Sequence, residues 1–349
     1  MAERHVGSGQ TYSTITDAYN AASSGDEIII HPGTYTERIV HPASTKNNIT
    51  FRGFTGDPAD VLWVGTGSLN SAYPLRVYLV GTSGTPKDTY IQDITLRSGS
   101  NGGGALNLNG STGSYYSRTW VSNCWLQVPY NKVILMISNY ARVEFDECIL
   151  EGYKSSGAVA SWTINANERA TFRNCLIYSP EKLYENANVK HYHSTIVHGR
   201  ATRLIYNTGA WGFYYGCVFY NWARFTGGAQ DLWSGSGTPN FSECVYFRPS
   251  GCDQSDAELL ESDPLIAGGT TVRSTTGDSQ IPTDCQILTG SPAIDHVATD
   301  HGLTDDYFGN ARPLGSAYDA GFHERPAPLP RPVGPYLNNH AIRRGDLVT

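Results

Sequence analysis

Methionine occurs twice in 349 residues, and charged residues make up 16% of the chain. That is too little for the Glu-, Lys- and Leu-rich stretches that build long helices. No run approaches the roughly 18 apolar residues of a membrane-spanning helix. The opening MAERHVGSGQTYSTI lacks the basic stretch followed by an apolar one that marks a secretory leader. The expectation is therefore a protein made in the cytoplasm that spans no membrane. The seven cysteines contain no CxxC spacing, and an odd number without a leader argues against a disulfide framework, so buried free thiols are expected. The net charge of −7 comes without the clustered Lys and Arg that nucleic acid or an anionic bilayer selects. A neutral partner such as a glycan fits better.

What the chain has instead is Gly, Ser, Thr, Asn and Tyr, a β-rich and turn-rich composition. A repeat is visible in VSNCWLQV, FDECILEG, FRNCLIYS, YHSTIVHG, YYGCVFYN and FSECVYFR. Marking these at Cys124, Cys148, Cys175, Thr195, Cys217 and Cys244 gives steps of 24, 27, 20, 22 and 27 residues, a mean of 24. That period suits one turn of a parallel β-helix and carries no ankyrin, tetratricopeptide or leucine-rich signature. Weaker copies extend it through DEIIIHPGTY, NITFRGF, VLWVGTG and YIQDITLRS. The expected fold is all-β: a single-stranded right-handed parallel β-helix of about nine or ten coils, roughly 45 Å long at about 4.8 Å per strand. By two-residue alternation the marker and the residue two beyond it (Leu126, Leu150, Ile177, Val197, Phe219, Tyr246) face inward.

The rod needs its ends covered. STITDAYNAASSGDE places Ile15, Ala18, Tyr19 and Ala22 at helical spacing after Ser/Thr capping residues, which predicts a short helix over the first coil. PAPLPRPVGP, residues 326–335, can neither join a ladder nor form a helix and reads as an extended arm. The expected divisions are 1–25 for the N-terminal strand and capping helix, 26–325 for the β-helix with its closing module, and 326–349 for the arm and tail.

The opening TYSTITDAYNAASSGDEIIIHPGTYTE resembles the start of pectate-lyase-like right-handed β-helix proteins. DPLIAGG, GSPAIDHVATD and DDYFGNARPLGSAYDAGFHE resemble the closing module of the same superfamily, seen in choice-of-anchor proteins. With the repeat, the resemblance spans nearly all of residues 9–324. It implies the fold and leaves activity open, because the superfamily includes lyases, hydrolases, epimerases, phage spikes and adhesins. The WIDH-type and arginine–proline segments of pectate lyases and the NTD, GHG and RIK triplets of polygalacturonases are absent, so no catalytic residue is carried over. The carboxylates Asp295, Asp305, Asp306 and Asp319 of the closing segments are expected to bond backbone amides of loops.

For chemistry, Glu147 and Glu151 in VEFDECILEGY share an outward face by strand parity, with Arg173 one coil on; they are the catalytic candidates. Outward charges on a β-rod otherwise serve solvation. His191, His193 and His198 raise a metal site, but the third has opposite parity and no carboxylate or cysteine ligand lies near in sequence, so turn or surface histidines are the expectation. No metal is assigned; Ca²⁺ enters only if the chain is a lyase. Aromatic residues suit sugar faces, and Tyr116, Trp120, Tyr130, Tyr153, Tyr178, Trp211 and Trp222 are the glycan-binding candidates, from a wider set that includes Tyr192. A row of apolar residues follows the markers: Trp125, Ile149, Leu176, Ile196, Val218 and Val245. It should point outward and must be covered, by long loops or by neighbouring copies in a parallel homo-oligomer, with a trimer expected.

Two functions remain from the sequence. One is a virion-associated spike, fibre or decoration protein of a phage that binds surface glycans, with the tail LNNHAIRRGDLVT docking on other virion proteins; the other is a polysaccharide lyase or glycoside hydrolase.

Overall fold

The computed structural model describes residues 1–325 other than 44, 68–71, 80–86, 100–103, 111–116, 129–134, 139–141, 153–168, 180–187, 199–204, 208–211, 222–232, 236–238, 248–258, 268–284 and 300. The arm and tail, 326–349, and Cys252 lie outside these residues. Every paired strand runs parallel to its neighbours. Ten strands form one sheet (sheet A), from Glu3–Val6 to Asn240–Ser242, and ten form a second (sheet B), from Gly33–Thr36 to Leu259–Glu261. A third face (sheet C) holds Ile39–Pro42, Leu75–Leu79, Leu106–Gly110 and Leu135–Ser138, and a separate pair joins Ile205–Asn207 to Trp233–Gly235. The chain visits A, B and C in turn, so it winds as a right-handed parallel β-helix around one dry column. NITFRGF and VLWVGTG are not separate coils: they are the sheet A and sheet B strands of a single turn.

The corner from sheet A to sheet B explains the cysteine repeat. One residue turns the chain in the left-handed region: Asp93, Asn123, Glu147, Asn174, His193, Gly216 and Glu243, with φ between 44° and 59°. Asn, Asp, His and Gly tolerate that region best. The next residue points into the narrow inside of the corner, where a small side chain fits. Cys124, Cys148, Cys175, Ser194, Cys217 and Cys244 stand there, each donating to the carbonyl two residues back at 3.1 to 3.4 Å. All the described cysteines are buried and free, and burial raises the thiols of Cys148 and Cys217 far above their ordinary range.

Ser194, not Thr195, is thus the marker of its coil, because His193 takes the turning position. A one-residue shift exchanges the faces of a strand. Ile196 therefore lies in the interior with Leu126, Leu150, Ile177, Phe219 and Tyr246, while Val197 lies outside it. On the sheet A side the interior is an aromatic stack: Phe145 on Phe172 at 4.9 Å, Phe172 on His191 at 4.6 Å, His191 on Tyr214 at 5.0 Å and Tyr214 on Phe241 at 5.4 Å. His191 and His193 are buried, in the column and at the corner, rather than surface histidines.

The N-terminal lid is the helix Ile15–Ala21, capped by Thr14 Oγ1, which accepts from Asp17 N at 3.0 Å. Glu37 completes the cap by accepting from the backbone N–H of Ile15 at 2.9 Å and of Thr16 at 2.7 Å. Ile15, Ala18, Tyr19 and Ala22 are buried, and Tyr19 Oη meets His41 Nδ1 at 3.0 Å. Among the described residues no helix is long and apolar enough to cross a membrane.

The outer row of sheet B is covered by the chain itself. Trp125, Ile149 and Leu176 pack with Ile266, Cys285 and Phe322, and Val218 and Val245 pack with Ile287, Ala293, Val297 and Ala320. Thr195 fills the place assigned to Ile196, its Oγ1 accepting from Phe322 N at 3.2 Å. The row is therefore no free face, and it supplies no ground for a trimer. The covering segment is anchored by Arg312 and Glu324, paired at 2.8 Å with both side chains fully buried. Asp306 accepts from the N–H of Phe308, Asn310 and Glu324, Asp319 from those of Asp295 and Arg325, and Asp295 from that of Ala317. Asp305 instead takes the Thr304 hydroxyl at 2.8 Å. Corner residues hold the same segment: Asn174 Nδ2 donates to Asp305 O at 2.7 Å, and Glu243 accepts from Ala298 N at 2.8 Å.

Candidate functional site

The lid occupies one end of the rod and the closing segment covers sheet B, reaching sheet A through His301 at its Tyr192–Tyr215 end, so sheet A presents a long outer face that these segments leave largely open. Its strands alternate buried and part-exposed residues, and in-register stacking turns the exposed positions into two lengthwise rows. One row reads Tyr90, Trp120, Glu144, Thr171, Lys190 and Phe213, broken at Thr171, which is buried; the other reads Gln92, Ser122, Asp146, Arg173, Tyr192 and Tyr215. Six strands at about 4.8 Å make a strip of roughly 24 Å.

Aromatic groups stand at the two ends of this strip and charges at its centre. Trp120 is positioned by Asp88, whose Oδ2 accepts from the indole Nε1 at 3.1 Å while Oδ1 accepts from Arg118 N at 2.9 Å. The Arg118 guanidinium lies 5.3 Å from the Trp120 ring centre, within cation–π range. Tyr90 is the in-register neighbour of Trp120. At the other end Tyr192 and Tyr215 stack at 5.1 Å with their planes 10° apart, and His301 from the closing segment contacts both at 5.6 and 5.2 Å. Phe213 lies 6.5 Å from Tyr215, and Lys190 Nζ lies 5.8 Å from the Phe213 ring. In the centre the Glu144 carboxylate is held between Arg173 at 2.8 Å and Arg118 at 3.8 Å. Asp146, two residues on, is exposed and stands opposite Arg173 in register. Rings with apolar faces beside fixed carboxylates and guanidinia can stack on sugar C–H faces and bond hydroxyls.

The sequence-derived candidates fall differently. Glu147 and Glu151 are not brought together, because the corner at Glu147 breaks the alternation by which they were counted onto one face. Glu147 is the left-handed turning residue, with φ 50°. Its carboxyl is pushed up to about 7, first by burial and then by Asp146, Asp305 and Asp306. Glu151 is fully buried beneath the closing segment and accepts from Trp125 Nε1 at 2.8 Å. Arg173 joins Glu144 instead. Of the aromatic candidates, Trp120 lies on the strip, whereas Tyr178 is only 7% exposed and packs under the closing segment. Tyr116, Tyr130, Tyr153, Trp211 and Trp222 lie outside the described residues. Sequence reasoning missed Glu144, Asp146 and Tyr215. The signal that could have found them is the left-handed residue just before each marker, which fixes parity separately on its two sides. Among the described residues no group of three or more His, Cys, Asp and Glu is placed to hold a metal ion.

No family model and no curated protein matches the chain. Among solved structures it is similar to pectate lyase Pel9A, at 13% identity over 93% of this chain and 96% of that one, with a TM-score of 0.50. It also matches the pectin methylesterase of Aspergillus niger (17% identity, 81% of this chain and 93% of that one, TM-score 0.38) and pectin methylesterase PemA from Erwinia chrysanthemi (13%, 74% and 92%, TM-score 0.39). At these identities the likeness speaks for architecture alone, and what the chain shares with Pel9A is the right-handed parallel β-helix.

Proposed function

We propose that this chain is a glycan-binding β-helix protein of the spike, fibre or decoration type displayed on a phage virion, and that the outer strip of sheet A takes the sugar chain. The observation that carries the reading is the pairing of two aromatic platforms, Tyr90 with Trp120 and Tyr192 with Tyr215, along one straight face of coil-spaced residues. An extended polysaccharide repeats along its length as the rod does, so successive sugars meet successive coils. The name of the neighbour Pel9A, a pectate lyase, agrees with a glycan partner. The proline-rich arm after residue 325 suits a tether to a larger particle.

A hydrolase is the second reading, favoured by Glu144 and Asp146. Two residues apart on one strand, they stand roughly 7 Å apart, near the carboxylate separation of inverting glycosidases. Incubating the protein with a panel of capsule and cell-wall polysaccharides separates the readings. Retention without chemical change supports the binding protein; new reducing ends abolished by Glu144→Gln support the hydrolase. No retention and no products on any polysaccharide would overturn both.

A further inference from the structure

The first coil carries a pair of imidazoles that the strip does not use. His5 Nδ1 and His31 Nε2 approach to 3.0 Å, and His5 Nε2 lies 3.3 Å from Glu3 Oε2. The His31 ring stacks on Phe54 at 4.1 Å with planes 16° apart, which fixes its direction. Its Cβ occupies space that Gly7 leaves open: a Cβ on Gly7, where φ is +146°, would meet it at 2.9 Å and Tyr35 Oη at 3.2 Å. Tyr35 Oη in turn donates to His31 O at 2.8 Å. His31 is thus held by Phe54, Gly7 and Tyr35, and His5 is backed by Glu3.

The chemistry follows from the tautomers. When Glu3 accepts the Nε2 proton of His5, the lone pair of His5 is left on Nδ1, aimed at His31. A carboxylate behind a histidine in this way is the usual outer support of a metal-ligating imidazole. An ion about 2 Å from both nitrogens would see them at roughly a right angle, as square-planar and tetragonal sites require, whereas a tetrahedral ion needs a wider separation. We infer that His5 Nδ1 and His31 Nε2 form a two-histidine site for a divalent ion of tetragonal preference, Cu²⁺ or Ni²⁺, with water completing the coordination. On binding, His31 carries its proton on Nδ1 and gives the Nε2 lone pair to the metal. The site lies at the lid end, on the same outward face as the strip but beyond it.

One equivalent of Cu²⁺ added to the full chain tests this by electron paramagnetic resonance, with Ni²⁺ titration as the affinity measure. The expected spectrum is tetragonal with equatorial nitrogen coupling. His5→Ala and His31→Ala should each remove part of that coupling and weaken Ni²⁺ binding about tenfold or more, and Glu3→Gln should weaken it about tenfold. Circular dichroism confirms that these part-exposed variants remain folded. A His5→Ala/His31→Ala chain that is folded and binds both ions as the parent does would overturn the site, as would a parent that binds neither ion. Glycan retention by the metal-free chain is read separately, so failure here and failure of the glycan reading are distinguishable.

Discussion

Trp125 Nε1 donates to Glu151 Oε2 at 2.8 Å in the layer between sheet B and the closing segment. Gln127 Nε2 reaches the same oxygen at 3.5 Å, and Arg97 bonds Gln127 in turn. A carboxylate that by strand parity belongs outside is therefore an internal acceptor. Glu151→Leu should cost about 1–3 kcal/mol, the penalty for leaving a buried donor without its acceptor, read as a lower urea midpoint. Glu151→Gln keeps an acceptor oxygen and should cost less, with polysaccharide retention unchanged in both.

The Arg312–Glu324 pair makes a larger demand. Arg312 Nη2 also donates to Gly321 O at 2.8 Å, and Glu324 accepts from Leu314 N and Asp319 N, so the pair ties three stretches of the closing segment together. Arg312→Met leaves the Glu324 charge buried without its partner and should cost about 3–5 kcal/mol. Replacing both, Arg312→Met with Glu324→Leu, removes the charge and should recover part of that loss. Thermal unfolding of the single and double variants measures the difference.

His191 sits in the aromatic stack, where burial holds its pKa down to about 3. An unfolded histidine titrates near 6.5, so below that pH the unfolded chain binds a proton the folded chain refuses. Stability should fall as pH drops from about 6.5 toward 3, by about 1.4 kcal/mol per pH unit for this residue. His41 and His323, held near 4, and His193, held near 3, act in the same sense. Glu147 and Asp319, raised to about 7, act oppositely, losing their contribution as pH rises from about 4 through 7. His191→Phe continues the stack and should gain roughly 2–3 kcal/mol over the parent on going from pH 6.5 to 4.5, measured by urea midpoints at both values. An equal shift in parent and variant would show that His191 is not the neutral member of the stack.

The sequence made the column legible because its inside corner accepts only small side chains: five cysteines recur where a thiol can meet the carbonyl two residues back. The lid was legible from Thr14 and the spacing of Ile15, Ala18 and Tyr19. Parity across the corner was not. Alternation holds within a strand, but Glu147 and His193 each turn the chain, so counting from Glu147 to Glu151 or from His191 to His193 runs into the corner, where the alternation breaks. The cover of sheet B was half legible: the apolar row at Trp125 and Ile149 demanded burial, but nothing local says that Ile266 and Phe322, over a hundred residues away, supply it. Trp120 was legible as an outward aromatic. Its partners Arg118, Glu144 and Arg173 become one site only when coils of unequal length are stacked in register.

A crystal structure of the chain with a bound oligosaccharide from a retained polysaccharide tests the central claim most directly. The sugar chain should lie lengthwise on sheet A, its rings against Trp120 and the Tyr192–Tyr215 stack and its hydroxyls near Glu144 and Arg173. A sugar bound on another face, with the sheet A strip bare, would contradict the account.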